Sequence, residues 1–138
     1  MTFRHLDVAF DLPDLWWAAG GMAKFTPQKP AYRFDPAKFP RAIEVGVEDV
    51  EPLRTAKRSH GMFHDNLLEC GTAEFRVVRI LRGFVADAAI PPITIEAAPS
   101  GSCCRYVLHH GAHRFYSSIA AGFTHVPAHV RSADVPFT

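Results

Sequence analysis

The residues best equipped for chemistry in this chain are His110, Gly111, Ala112, His113 and Arg114, which follow the run Tyr106-Val107-Leu108-His109. The pattern predicts a strand that ends in a glycine turn and opens a helix. A helix start leaves its first backbone N–H groups without intrahelical partners, and the helix dipole makes that end electropositive, so phosphate binds there. Gly111 lets the backbone approach a ligand closely, and Arg114 offers a planar fork of donors matched to phosphate oxygens. His113 is placed to orient the anion. His110, whose ordinary pKa lies near neutrality, is a candidate proton carrier, and Glu51 and Glu69 are candidate carboxylate bases set against the plainer reading of both as surface charge. Arg54 heads a basic stretch with Lys57, Arg58, His60 and His64, read as a loop that either faces phosphate or is solvated.

Histidines invite a metal reading as well, with His109, His110 and His113 joined by His60 or His64. Adjacent strand residues point to opposite faces, and the chain has no HExxH or CxxC anchor, which argues against a protein-caged zinc ion. A Mg²⁺ carried by bound phosphates fits the residues better.

The elements that must position these groups can be followed along the chain. Residues 1–40 hold Pro13, Pro27, Pro30, Pro36 and Pro40 among many aromatics, predicting an irregular arm that packs on the domain or on a protein partner. Residues 41–138 form the domain proper. Ala42 to Val47 alternates as a short strand and is followed by an acidic turn from Glu48 to Pro52. Thr72 or Gly71 is placed to cap a helix through Glu74 to Arg82, ended by Gly83, with Phe75, Val78 and Leu81 on its apolar side broadened by Val77 and Ile80. Ile93 to Glu96 and Cys103 to His109 read as a hairpin, Arg114 to Ala121 as a short helix closed by Gly122, and His125 to Val130 as a last strand at or near a sheet edge because of Pro127.

With 138 residues, 48% of them hydrophobic, the chain is long enough for one domain with a real core. Fifteen basic against 14 acidic residues leave a net charge of +1, so the totals give no support to duplex DNA as a partner. No stretch approaches the roughly 20 apolar residues that span a bilayer, and no secretory leader stands at the N-terminus, predicting a cytoplasmic protein without a membrane partner. Three cysteines, Cys70 and the adjacent Cys103 and Cys104, are no disulfide framework; reduced thiols are expected, with at least one of the adjacent pair in the core.

The order strand, hairpin, strand, glycine turn, His-Arg helix, glycine, strand resembles the ParB/sulfiredoxin superfamily. The residues carrying the resemblance are Pro92-Ile93-Thr94-Ile95, His110-Gly111-Ala112-His113-Arg114 and Gly122-Phe123-Thr124-His125-Val126-Pro127-Ala128. It covers residues 91–130 well and 43–81 loosely. The resemblance implies an α+β domain with a small mixed sheet and short helices, in which Gly111, Ala112, His113 and Arg114 hold the phosphates of ATP or CTP. Sulfiredoxins carry their reactive cysteine where this chain has Ala112, so sulfinic-acid repair is not expected. Many ParB-like kinases and nucleases carry an aspartate where this chain has His110.

The preferred reading is therefore nucleotide binding, with phosphotransfer or nucleotide hydrolysis as the attached chemistry. A non-catalytic nucleotide-sensing or protein-interaction module is the alternative. A nuclease or nonspecific DNA binder, using Arg76, Arg79 and Arg82 with the basic loop, comes third; the helix-turn-helix of DNA-binding ParB proteins has no counterpart in the eight residues after Val130.

Overall fold

A computed structural model describes residues 1–51 and 73–131. Its elements in chain order are β1 (Thr2–His5), β2 (Val8–Asp11), α1 (Asp14–Ala19), β3 (Ile43–Gly46), a single 3-10 turn (Val47–Asp49), β4 (Val50–Glu51), α2 (Ala73–Val85), β5 (Ile93–Ala97), β6 (Tyr106–His110), α3 (Ala112–Ala121) and β7 (His125–Arg131). The fold is mixed α/β, with a curled five-stranded mixed sheet in the order β3-β7-β5-β6-β4 and a separate β1-β2 hairpin. Among the described residues no helix is long and apolar enough to cross a membrane.

Strand β5 shows why the sheet forms where it does. Ile93 and Ile95 are fully buried while Thr94 and Glu96 alternate outward, the period-two pattern of a half-buried strand. It pairs antiparallel with β6, as the expected hairpin, and parallel with β7. β7 lies one strand in from the edge, between β3 and β5, with Pro127 buried. Val47 donates its N–H to Thr124 O, and bonded pairs alternate in an antiparallel ladder, so Glu44 and Pro127 form a non-bonded pair. The donorless nitrogen of Pro127 thus faces β5, whose pairing begins only at Ile93 opposite Ala128. The acidic stretch expected as a turn holds the 3-10 turn and β4, which pairs parallel with β6.

Helix α2 runs past Gly83, where a stop was expected. A Cβ at Gly83 would stand 2.8 Å from Ile90 Cδ1, so this glycine admits a close-packed side chain, and the helix ends instead at Val85, with Asp87 at φ +52 just beyond it. Asp87 N–H bonds Phe84 O and Ala88 N–H bonds Gly83 O, the paired bonds of a Schellman ending. Its buried face is Ala73, Val77, Leu81 and Phe84, leaving Phe75 exposed rather than facing the core. The proposed caps at Gly71 and Thr72 lie outside the described residues. Strand β6 starts at Tyr106, three residues later than expected, and neither Cys103 nor Cys104 is in the core.

The first forty residues differ most from expectation. They begin with a hairpin closed by Leu6 and Asp7, and α1 starts directly after Pro13, a position at which proline is tolerated because its missing N–H would have had no intrahelical partner. Phe10, Leu12, Trp16, Met22 and Tyr32 belong to the same buried cluster as Val77, Leu81, Ile95, Phe115 and Val126. The later prolines lie in an irregular strap: Pro30 O accepts from the N–H groups of Thr124 and His125, Arg33 O accepts from Ile90, and Tyr32 Oη donates to Pro91 O at 2.7 Å.

Candidate functional site

The site is built where β6 meets α3. Gly111 sits at φ +98 as the N-cap of α3, a conformation open to glycine at little cost, and its carbonyl accepts the N–H of Phe115 at 2.8 Å. The other end of α3 closes on Gly122 at φ +99, with Gly122 N–H to Ile119 O and Phe123 N–H to Ser118 O. Buried Phe115 and Tyr116 fix the helix face-down on the core, with His5 edge-on to Phe115 at 5.1 Å and Phe10 edge-on to Tyr116 at 5.0 Å.

With α3 so held, Arg114 turns back across the helix start. A Cβ at Gly111 would lie 3.0 Å from Arg114 Nη2, 3.2 Å from Nε and 2.9 Å from Ile93 Cγ2. An added carbon there would have to displace Ile93 Cγ2 and push back the guanidinium. Arg114 Nε is buried and has no hydrogen-bond partner among the described residues, as is true of Ser117 Oγ one turn on. A cation against a helix N-terminus opposes the dipole, and a buried N–H without an acceptor costs about 1–3 kcal/mol. An anion at the turn would relieve both. Burial pushes the Tyr32 hydroxyl pKa well above its ordinary value, and the nearby charge of Arg114 acts in the opposite direction. Tyr32 therefore stays protonated and serves as a donor to Pro91 O.

The remaining candidates are spread unequally. Ala112 and His113 are half-buried on the first turn of α3, beside Arg114. His110 is exposed at the end of β6. Glu51 ends β4 opposite Val107, three residues before His110, which is about 10 Å along the strand at ~3.3 Å per residue. Glu69 and Arg54 lie outside the described residues.

Two arrangements were not foreseen. Between Thr94 and Ile95 the register of β5 on β6 shifts, so that His110 faces Thr94 and Leu108 faces Ile95, leaving His109 as a bulge. The bulge turns the rings of His109 and His110 together at 4.3 Å, where an unbroken strand would have set them on opposite faces. His109 Nδ1 lies 3.2 Å from Glu96 Oε1, which also meets Arg131 Nη1 at 3.2 Å, and Arg131 donates to His109 Nε2. That surface network joins three neighbouring strands and was invisible without the parallel β5-β7 pairing. Among the described residues no three His, Cys, Asp or Glu side chains gather as a metal-binding group.

The second arrangement is a cleft of about 750 Å³ between the proline strap and the end of α2. Phe25, Tyr32, Phe84 and Phe123 form its floor, and Lys29 pairs with Asp87 at 3.0 Å on its rim. Its walls come from segments some fifty residues apart in sequence, so no local motif announces it. No protein-family model matches the chain, and no curated protein matches its sequence.

Proposed function

We propose that the Gly111 turn binds the phosphates of a nucleotide, ATP or CTP accompanied by Mg²⁺, in the manner of the ParB/sulfiredoxin proteins that the chain resembles. The observation carrying this reading is the buried Nε of Arg114, held against the N-cap of α3 with no hydrogen-bond partner among the described residues. Phosphate oxygens would accept from that N–H, from the remaining guanidinium donors and from the first N–H groups of α3, while His113 orients them. The helix start supplies charge stabilisation without any movement at the moment of binding, which is the larger part of what phosphoryl chemistry asks of a protein.

Binding without turnover is the form this geometry favours. The candidate proton carrier His110 is exposed, Glu51 stands about 10 Å along the sheet from it, and Ala112 occupies the place of a reactive side chain. Arg76, Arg79 and Arg82, the row behind the DNA reading, are solvent-exposed, and Arg82 Nε is engaged by Ala19 O.

The test is thermal unfolding with ATP or CTP and MgCl₂. A ligand at 100 times its dissociation constant adds about 2.7 kcal/mol to stability, and the midpoint rises accordingly. Arg114→Ala is expected to remove the shift, and product analysis of the wild type separates binding from hydrolysis. Absence of a shift with both nucleotides, or a shift retained in Arg114→Ala, overturns the proposal. A response to DNA alone that fades with salt would favour the polyanion reading.

A further inference from the structure

We infer that Cys103 and Cys104 form a reversible dithiol–disulfide couple, a modification site for small oxidising disulfides on the hairpin ahead of the candidate site. In an extended strand adjacent side chains diverge to opposite faces. This pair lies outside β6, in a bend prepared by Gly101 at φ +90 and a turn closed by Ser102 N–H to Pro99 O at 3.1 Å. Ser102 Oγ accepts the N–H of Cys104 at 3.2 Å, and the two side chains converge until their sulfurs are 2.9 Å apart. That is about 0.9 Å beyond a covalent S–S bond. Cys103 is exposed and Cys104 half-buried, so a reagent reaches the first sulfur from solvent and the second is already in place behind it.

The exchange follows from that order. The Cys103 thiolate attacks one sulfur of a small disulfide such as glutathione disulfide, forming a mixed disulfide and releasing one small thiol. The Cys104 thiolate then attacks Cys103 Sγ, closing the protein disulfide and releasing the second. Two electrons pass to the small disulfide, and the two protons leave with its thiols. Adjacent Cα atoms are only ~3.8 Å apart, below the ~4.4–6.8 Å of relaxed disulfides, so the closed ring is strained. Strained, exposed disulfides are the readily reduced ones, which makes this couple a responder to oxidising conditions rather than a permanent staple.

Trypsin isolates the pair from Cys70, because cleavage after Arg82 and Arg105 leaves both residues in peptide 83–105. The full chain is equilibrated with glutathione disulfide in about 100-fold excess over glutathione, quenched with N-ethylmaleimide, digested and weighed. Peptide 83–105 is expected to lose two hydrogens and carry no adduct, and to take up two maleimides after dithiothreitol. Cys104→Ser is expected to hold at least about tenfold more glutathione on Cys103 than the wild type, because the resolving thiol is gone. A wild-type peptide that keeps glutathione, stays doubly maleimide-labelled in the oxidising mixture, or cross-links to the Cys70 peptide overturns the inference.

Discussion

The two ends of the molecule reach the same core by opposite routes. In the C-terminal region, several of the contacts that set the shape are close in sequence: β5 turns back on β6, Gly111 caps the helix that follows it, and Gly122 closes that helix three residues before β7 begins. In the first forty residues they are remote, with His5 bonded to Val50, Tyr32 to Pro91, Arg33 to Ile90 and Pro30 to Thr124. Local closure carries a small chain-entropy cost and leaves a readable signature. Remote closure has to be repaid by burial, which is why the N-terminal segment carries so many aromatics.

The comparison breaks most visibly if the N-terminal hairpin is peripheral. Phe10 is 5% exposed and meets both Tyr116 and Phe3, so Phe10→Ala is expected to lower stability by about 3–5 kcal/mol in urea unfolding with an unchanged slope. A loss below about 1 kcal/mol would mean the hairpin merely covers a domain that is complete without it.

The local route is tested at its glycines. Gly111→Ala meets a backbone cost of about 1–2 kcal/mol for φ +98 together with the approach to Ile93 and Arg114. Gly101→Ala faces a similar φ of +90 with nothing within 4 Å of the added carbon. The second variant measures the conformational cost alone. An excess loss in Gly111→Ala, with displacement of the Arg114 guanidinium in its crystal structure, confirms close approach as the role of that glycine; equal losses reject it.

This contrast also explains what could be read from the sequence. The hairpin of β5 and β6, the Gly111 turn, the Gly122 ending and strand β3 are each written in a few consecutive residues, and the mixed α/β class follows from their order. Gly83 misled because a glycine near a helix end usually stops it, whereas here it yields space to Ile90. Pro127 marked a strand at or near the edge, and β7 lies one strand in from it; edge placement is the common remedy for a missing N–H, and the staggered start of β5 is another. In the N-terminal segment the prolines were visible but their partners were not. At the site, the positions of Gly111 and Arg114 were legible, but the guanidinium folded back over the cap, the His109 bulge and the distance of Glu51 all depend on strand pairings that no short window contains.

His5 sharpens the remote side through pH. It is 3% exposed and donates Nε2–H to Val50 O at 2.8 Å, tying β1 to β4. Burial lowers its pKa below the ordinary 6.5, more strongly than the Val50 bond and the charges of Glu48 and Asp7 raise it. The folded protein therefore keeps His5 neutral at a pH where the unfolded chain has begun to bind a proton. Its contribution is complete above about 6.5 and declines as pH falls through 6.5 toward the folded value. His5→Gln removes this one titration, so the stability difference between wild type and variant should shrink on acidification across that window, measured by denaturant titration. A difference that is flat or grows places the charged form inside the fold and contradicts the buried neutral imidazole.

The smallest effect is expected where the strap meets the end of α2. Lys29 and Asp87 pair at 3.0 Å, but their side chains are 50% and 63% exposed, so water and salt screen most of the attraction. Asp87 also holds the left-handed position that ends α2, and asparagine tolerates that conformation about as well as aspartate does. Asp87→Asn thus removes the charge while sparing the helix ending, and about 0.2–1 kcal/mol should be lost at low salt, less as salt rises. Asp87→Ala adds the backbone cost and should lose more, the extra loss over Asp87→Asn responding little to salt. If Asp87→Asn instead costs as much as Phe10→Ala, the strap is fastened by charge at its rim. The buried ring of Tyr32 and the backbone bonds of Pro30 and Arg33 argue that it is fastened from beneath.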